Sequence, residues 1–496
     1  MVTYMLEKIQ QLQLSAYQGL YDIIIPKDHW IRELHDIIDY EFIYNELKNN
    51  YSLDNGAKAY DPIQLFKLLM LKSKYELSDR DLIERAQTDM SIKYFLDMTP
   101  EAEMPHHTTL TKFRKLRLKG ENFMNLLISK TIEVARINEL LKTKTIIVDS
   151  THTKSIYNPK TPIEILQHES KKVRKSVYQI DETYKDKMPI KPTSDELNEH
   201  IEYCNKLINL LSKDEKLKAY NGLIEKINYL EEIVNDSIEN KVSVEDTDAR
   251  IGHKSEDSSF FGYKNHIAMS PERLITAAVI TTGEKCDGEY TQELIEQSNV
   301  NGYSVDTLIG DGAYSSKDNL TYGKENNIKI VAKVNKYVLE GNPTARKCKG
   351  FTFNKDAGMY VCTAGHMAIK KVFTGGKKDQ TKNRQTTFFF DVEKCKTCPM
   401  KNGCYKENSR TKTYTVRENT NLQTEQIEFM NSEEFKKLYK ERYKIEAKNS
   451  ELKNSYGLTK NRTRSLLGMQ MQSAVAIFTC NLKRIITLRK ENKDNK

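Results

Sequence analysis

Apolar residues near the start of the chain recur with helical spacing. In the segment YDPIQLFKLLMLKSKYELSDRDLIERA, Ser78 and Asp79 form a candidate helix cap. The apolar positions that share one helical face are Ile63, Leu65, Phe66, Leu69, Leu77, Leu82 and Ile83. This pattern predicts a helical N-terminal domain over residues 1–125.

The pattern changes after this domain. Residues 145–148 (TIIV) form a β-branched run that predicts a short strand with Asp149 at its C-terminal end. Residues 161–244 return to helical spacing, as in LINLLSKDEKLKAYNGLIEKINYLEEIV, and predict an inserted helical hairpin. We interpret this hairpin as a spacer or packing element, whose lysines suit either a solvated face or an arm that contacts a nucleic-acid backbone.

Strand-like runs resume near residue 245, in the order FFGYKNHIAMS, LITAAVITTG, VDTLIGDGAY and NIKIVAKVN, with helices between the later ones. Residues 140–160 and 245–336 therefore predict one mixed sheet, and the fold class is α/β. Residues 337–428 carry short alternating runs that predict a small inserted β region. Residues 429–490 complete the core with two predicted helices, roughly Ser432 to Tyr456 and Arg464 to Lys490.

Length and composition are those of a globular protein with several parts. A chain of 496 residues exceeds the usual size of a single core. Its 38% hydrophobic and 30% charged residues bury cores while leaving charged helical surfaces. No apolar run approaches the roughly 20 residues of a membrane span, and the start lacks a signal-peptide stretch. We expect a cytoplasmic protein without a membrane partner.

Positive charge is concentrated in two places. Residues 435–496 contain 16 Lys and Arg against 5 Asp and Glu, a formal charge of +11, so the rest of the chain carries about −2 of the total of +9. The segment HHTTLTKFRKLRLKG places Lys112, Arg114 and Arg117 around Phe113. Each surface is either a solvated helix face or a site for a polyanion, and we predict that these three cations bind DNA.

Three acidic residues are candidates for one catalytic site. Two-metal cleavage of a phosphodiester needs carboxylates that converge on the ions. The predicted strand order allows Asp149 and Asp311 to lie side by side at one edge of the sheet, and Glu446 on the helix KKLYKERYKIEAKNSELK can complete the set. The alternative is that each Asp after a β-run is a turn or cap residue. Along that helix Tyr439, Arg442, Glu446 and Lys453 stand three, four and seven positions apart, close to one face.

These residues carry a resemblance to a known family. The helix matches every position of the Y-x2-R-x3-E-x6-K signature, which marks one branch of the DDE insertion-sequence transposases. The stretches VDST around Asp149 and DGAY around Asp311 are similar to the same branch. The likeness extends to YDPIQLFKLLML, TDARIGHKS, FFGYKNHIA and SAVAIFTCNLKRI, and so covers most of the chain.

The resemblance implies an RNase H-like catalytic core and a DNA-binding N-terminal region. It implies that Asp149, Asp311 and Glu446 hold two Mg²⁺ (or Mn²⁺) ions, and that Tyr439, Arg442 and Lys453 contact the terminal DNA strand. The activity implied is cleavage at the terminal inverted repeats of an insertion sequence, followed by joining to target DNA. The alternatives are an RNase H-like nuclease without strand transfer and an inactive DNA-binding derivative. Because two DNA ends must be held together, we expect a homodimer on DNA, associated with the nucleoid of a bacterial-type cell.

Individual roles on the signature helix follow from side-chain chemistry. Arg442 can form two hydrogen bonds to a phosphate, and Lys453 supplies a point charge. Tyr439 either stacks on an unpaired base, hydrogen-bonds to the DNA backbone, or is a half-buried packing residue. Lys264 and His266 in FFGYKNHIA either lie close to the active site or are ordinary residues of the core or the surface.

The cysteines form a further candidate site. Cys395 and Cys398 have the spacing of a zinc-ligand pair, and Cys404 follows six residues later. Cys362 is the candidate fourth ligand, with Cys348 and His366 as competitors. The set either binds a structural zinc ion or consists of small buried residues without metal.

Overall fold

The computed structural model describes residues 15–51, 59–118, 122–157, 160–235, 246–255, 258–334, 350–374, 385–417 and 420–494. Eight helices precede the first strand in this part of the chain. They are α1 (Leu20–Ile24), α2 (Trp30–Asp36), α3 (Glu41–Leu47), α4 (Pro62–Tyr75), α5 (Asp79–Thr88), α6 (Met90–Phe95), α7 (His107–Leu116) and α8 (Phe123–Ile137).

Local chemistry sets the ends of these helices. The Asp61 side chain accepts a hydrogen bond from Ile63 N at 2.8 Å, and Pro62 occupies the first turn of α4. The Ser78 hydroxyl accepts from Asp81 N at the start of α5, which confirms the predicted cap. The helical N-terminal segment was therefore readable from its sequence pattern.

The central sheet is mixed. Its strands are β1 (Thr145–Ser155), β2 (Arg250–Ser255), β3 (Ser258–Met269), β4 (Ile275–Thr282), β5 (Thr307–Ile309), β6 (Lys329–Val331) and β12 (Lys460–Asn461). The order is β2-β3-β1-β5-β6, with β4 also on β3 and β12 also on β1. Strand β3 is antiparallel to its neighbours β1, β2 and β4, whereas β5 is parallel to β1 and β6. Helices α12 (Thr291–Val300) and α13 (Lys317–Glu325) connect the later strands.

Strand β1 is longer than its apolar run predicts. We expected a strand that ends at Asp149, but β1 continues to Ser155. The extension follows from the unequal lengths of its neighbours: pairing with β5 ends at Ile147, whereas pairing with β3 continues to Lys154. Asp149 therefore lies in the middle of β1, at the point where the parallel neighbour ends.

The last helix, α18 (Leu466–Asp494), joins the N-terminal helices to the sheet. It packs on α4, α8 and β4, and its side chains are buried through most of the segment SAVAIFTCNL. The buried apolar residues of the N-terminal helices, the sheet and α18 form one continuous core. The N-terminal helices therefore have no core of their own that ends at the predicted boundary near residue 125, because α8 packs on both α18 and β4.

The first insertion is a small helical bundle. It contains α9 (Pro162–Ile180), α10 (Leu197–Ser212) and α11 (Asn221–Asn235), which pack on one another around their own apolar core. We predicted a hairpin of two helices, which was wrong because the segment contains three. The added helix α9 begins at a capping box formed by Thr161 and Glu164, and it supplies Ile165, Leu166 and Val173 to the core. The end of this segment, residues 236–244, lies outside the described residues.

The second insertion is the small β region. A three-stranded sheet has the order β11-β10-β9, and β7 pairs with β8. These strands are β7 (Thr352–Asn354), β8 (Met359–Val361), β9 (Lys370–Thr374), β10 (Gln385–Phe390) and β11 (Lys412–Arg417), with the short helix α14 (Val392–Lys396). Residues 337–349 of the predicted region lie outside the described part of the chain.

The first of the two closing helices is interrupted, whereas the second has about its predicted length. We expected one helix over residues 432–456, but the segment divides into α16 (Glu433–Tyr439), a 3-10 turn (Lys440–Arg442) and α17 (Tyr443–Ser455). Helix α15 (Asn421–Met430) precedes them. In the described ranges, no helix has the combination of length and apolar character that a membrane span requires.

Asn481 tests how α18 is fixed to the sheet. Its buried amide accepts a hydrogen bond from Ile275 N and donates to Ile275 O and Thr131 Oγ1, each at 2.9 Å. We expect Asn481→Leu, which is similar in volume, to lower the free energy of unfolding by roughly 2 to 4 kcal/mol, because the buried Ile275 backbone groups lose their partners. Urea unfolding measures the change. Asn454→Leu, at an exposed site on α17, is the control, and equal loss in both variants would contradict this role.

Candidate active site

Two aspartates meet where β5 ends beside β1. The last parallel pair joins Ile147 to Ile309, and Asp149 and Asp311 each stand two positions further along. Residues two apart on a strand face the same side of a sheet. The backbone turns at Asp311, whose side chain accepts from Ala313 N at 2.8 Å and begins the 3-10 turn Gly312–Tyr314. Asp311 thus leaves the sheet at the level of Asp149.

Glycine at position 310 permits this sharp departure. A Cβ atom there would lie 2.7 Å from the ring of Tyr314 and 3.0 Å from the side chain of Val148. Tyr314 is buried beneath the turn. Close packing of this aromatic ring against β1 therefore requires the glycine that precedes Asp311.

Burial perturbs the first aspartate strongly. Asn449 on α17 donates from Nδ2 to Asp149 Oδ2 at 3.0 Å. Burial raises the pKa of Asp149 to about 6, with further increases from the negative charges of Asp311 and Asp287, while Arg442 opposes them. Loss of solvent, more than neighbouring negative charge, therefore disfavours the ionised form of Asp149.

Glu446 reaches the same neighbourhood but is bonded elsewhere. Arg442 Nη1 lies 2.8 Å from Glu446 Oε1, and Glu446 is otherwise exposed. The pKa of Arg442 is raised because the charges of Asp149, Tyr439, Glu446 and Asp311 outweigh its burial. All three predicted acids thus interact electrostatically with one guanidinium group. Within the described residues, no group of three or more His, Cys, Asp or Glu side chains is arranged to hold a metal ion as it stands.

The ring of Tyr439 packs on a neighbouring aromatic side chain at the side of an open groove. Its ring stacks on Phe435 with centroids 5.2 Å apart, and Lys333 Nζ lies 4.9 Å from the ring centroid. Asp311, Lys333, Lys436 and Tyr439 all line the groove. Two lysines therefore border an accessible channel that leads to the second acid.

Lys453 faces the far end of β1. Its Nζ atom lies 3.5 Å from His152 Nδ1, and the His152 ring is 4.8 Å from that of Phe260. Residue His152 is three positions beyond Asp149, so Lys453 extends the basic surface along the strand. The predicted signature residues Arg442, Glu446 and Lys453 are therefore brought to one side of the core.

A fourth carboxylate, Asp287, was missed in the sequence. It follows β4, and Lys264 Nζ lies 2.9 Å from its Oδ1 atom. His266 Nδ1 is 3.9 Å from the same oxygen, and burial lowers the pKa of His266 to about 4, so its ring is neutral near pH 7. The signal was present: Asp287 begins the sequence DGEY after a strand, just as Asp311 begins DGAY.

The predicted N-terminal cations divide into two groups. Arg114 Nη1 lies 2.9 Å from Asp79 Oδ1. Arg117 donates to the Asn50 carbonyl oxygen, and its guanidinium group lies 4.4 Å from the Tyr51 ring centroid. Both arginines thus join N-terminal segments to one another, whereas Lys112 is exposed on α7.

The four predicted cysteine ligands line one small pocket in the second insertion. Cys362, Cys395, Cys398 and Cys404 border it together with His366. All four are free thiols of intermediate exposure. Cys348, the other competing ligand, lies outside the described residues.

The fold is that of an α/β protein. Its mixed sheet brings carboxylates together beside a groove that is lined by basic residues, and these carboxylates form the candidate active site. Residues 20–116 match the family model described as a transposase domain (DUF772), and residues 233–482 match the transposase DDE domain. Because the second match covers half of the chain, the protein belongs to the transposases with a DDE domain, enzymes that act on DNA. Asp311 and Glu446 lie inside this match, whereas Asp149 precedes it. No curated protein matches the chain.

The burial of Asp149 generates a stability prediction. Its pKa in the folded chain, about 6, exceeds the ordinary value of 3.8, so the ionised carboxylate opposes folding at pH 7 and this effect disappears below about pH 4. In EDTA at pH 7 we expect Asp149→Asn to raise the free energy of unfolding by roughly 1 to 3 kcal/mol. The gain should vanish at pH 4.

Asp246 supplies the matched control, measured by the same urea unfolding. This aspartate is more deeply buried than Asp149, but it accepts hydrogen bonds from Ser155 Oγ and Tyr263 OH. Asp246→Asn is expected to leave stability unchanged or to lower it at pH 7. Destabilisation by Asp149→Asn at pH 7 would show that the Asp149 carboxylate is already compensated in the folded protein.

Proposed function

We propose that this DDE transposase cuts DNA at the terminal inverted repeats of an insertion sequence and transfers the cut strand into target DNA. The observation that carries the proposal is the convergence of Asp149, Asp311 and Glu446 around Arg442, beside a groove bordered by Lys333 and Lys436. Acids for phosphodiester chemistry and cations for a phosphate backbone thus occupy one surface.

We further propose that the core is RNase H-like. In support, three antiparallel strands in the order β4-β3-β1 are followed by β5 and β6, which are parallel to β1. The two aspartates belong to β1 and to the turn after β5. Ligand and catalytic sites in sheets of this kind form where the carboxyl ends of adjacent strands meet.

The donor set suits a hard divalent cation. Carboxylate oxygens are the ligands that Mg²⁺ and Mn²⁺ prefer. Asn449 Oδ1 is buried beside Asp149 without a hydrogen-bond partner among the described residues, and the ionised form of the half-buried Asp149 is disfavoured even though Arg442 opposes this effect. Asp149, Asp311 and Glu446 would therefore hold two such ions, which supply activation of the attacking oxygen and stabilisation of the leaving oxygen.

The side chains of the signature helix would bind DNA and exchange their ion-pair partners. The Glu446 carboxylate would separate from Arg442 to join the aspartates, and a DNA phosphate would then pair with the Arg442 guanidinium group. Lys453 would contact the strand further along β1. Tyr439, held between Phe435 and Lys333, would form the wall of the groove and reach the DNA backbone through its hydroxyl.

Other parts of the chain would hold the remaining DNA. The basic residues at the C-terminal end of α7 would provide an N-terminal contact surface for DNA. Lys112 is exposed there, and Arg114 and Arg117 are held by hydrogen bonds to neighbouring segments. We expect two chains to hold two element ends as a homodimer on DNA. Such a protein would work in the cytoplasm in association with the nucleoid.

Cleavage and joining of labelled DNA that carries the element's terminal sequence test the proposal in Mg²⁺. We expect Glu446→Gln to reduce both activities roughly 100-fold or more, because a metal ligand is lost. Glu441→Gln is the control, since Glu441 lies one turn away and pairs with Lys444. Cutting without joining would indicate a nuclease. DNA binding without cutting by the unmodified protein would indicate a regulator.

Arg442 has a separate expected role in binding. We expect Arg442→Gln to weaken binding of terminal DNA about 10- to 100-fold, because a charged hydrogen-bonded contact contributes roughly 1.5 to 3 kcal/mol. Gel-shift titration in Ca²⁺ measures this without cleavage. Arg489→Gln, at an exposed position on α18, makes the same charge change. Equal weakening in both variants would mean that Arg442 contributes to DNA binding only through the overall positive charge of the protein.

A further inference from the structure

The described part of the second insertion has a small apolar core. Its fully buried apolar residues are Ala368, Phe388 and Phe390, with seven partly buried residues packed against them, whereas the helical insertion has a much larger core of its own. Small modules that cannot bury enough apolar surface commonly depend on disulfides or metals. The four described cysteines of this module are free thiols, so a disulfide does not supply the missing stability.

Two turns present these thiols to one pocket. In the first, Gly365 N donates to Cys362 O and Cys362 N donates to His366 O, each at 2.8 Å. In the second, Met400 N donates to Cys398 Sγ at 3.4 Å. An N–H group aimed at sulfur favours the thiolate form, because hydrogen bonding to a charged group stabilises that charge. The backbone around Cys398 is thus arranged for an anionic sulfur.

The four thiols are also neighbours in space. They belong to two separate turns of the chain, yet all of them border one small pocket together with His366. Each of the other three thiols interacts electrostatically with Cys395.

We propose that Cys362, Cys395, Cys398 and Cys404 bind one structural zinc ion. Thiolate ligands select Zn²⁺ over the hard Mg²⁺ of the proposed catalytic site, and four protein ligands close the coordination shell. The sulfur atoms are not in ligating positions as the side chains stand. Because all four border one pocket, the site closes by rotation of the side chains onto the ion.

The location of this module gives the ion a consequence beyond local stability. The insertion begins after β6 and ends before α15, and Gln426 on α15 donates to Ile330 O and Ala332 O. Lys333 and Val334, which precede the insertion in the chain, and Met430 at the end of α15 line the groove beside Asp311. The zinc ion thus stabilises a module that is inserted between two segments that line the proposed path of DNA.

Metal analysis of the full chain tests the site. Protein purified without chelator should contain one zinc ion per chain by mass spectrometry of the metals. Cys398→Ser should reduce this content at least threefold, whereas Cys286→Ser, at an exposed cysteine outside the module, should retain it. Replacement by Co²⁺ should give a thiolate-to-cobalt charge-transfer band that Cys398→Ser weakens.

Thiol counting on the unmodified protein covers the case in which Cys398→Ser fails to fold. Chelation of zinc should expose four additional thiols to a thiol-reactive dye, and restored zinc should protect them again. Absence of zinc after refolding in its presence, or unchanged dye reactivity on chelation, would overturn the proposal. Loss of zinc in His366→Ala together with retention in Cys362→Ser would overturn the four-thiolate assignment. None of these readouts depends on DNA cleavage.

Discussion

The pairing of β1 with two neighbours of different length is the constraint on which the candidate active site depends. Strand β3 stays beside β1 through Lys154, whereas β5 leaves after Ile147. The loss of the parallel neighbour opens the sheet next to Asp149, and the turn after β5 places Asp311 at the same level. Neither aspartate occupies a special conformation of its own. Their proximity is a property of the strand order, which also brings the second D-G-x-Y turn, at Asp287, against the first.

Polar contacts inside the core hold this arrangement against α18. Asn265 on β3 donates to Thr153 Oγ1 at 2.9 Å and accepts from Ser473 Oγ at 2.6 Å. Thr153 in turn donates to Leu458 O at 2.8 Å. Buried polar groups that are fully paired specify one packing geometry, because any slip leaves donors or acceptors unmatched. The chain thus fixes the far end of β1 to α18 and to the segment after α17, and α17 carries Asn449 and Glu446 to the site.

Much of this plan could be predicted from the sequence. Helical spacing identified the N-terminal helices, and β-branched runs identified β1, β4 and β5, because both signals are local. The extension of β1 to Ser155 could not be read from TIIV, since it depends on pairing with β3, a partner more than one hundred residues away. Helix α9 was missed for a related reason, because its apolar residues are buried only by contact with α10 and α11. Asp287 carried the same D-G-x-Y pattern as Asp311, but only the fold brings the two turns together.

The pair formed by Arg442 and Glu446 illustrates what a sequence signature leaves open. Spacing along a helix placed both residues on one face, and the structure joins them at 2.8 Å, although the helix is interrupted by the turn Lys440–Arg442. The same guanidinium group also lowers the pKa of Asp149, so it serves as the shared counter-charge of the acids. A single positive charge cannot neutralise three carboxylates, of which Asp149 and Asp311 are half-buried and Glu446 is exposed. The remaining negative charge favours the binding of further cations, and the guanidinium group of Arg442 is suited to exchange a carboxylate for a phosphate.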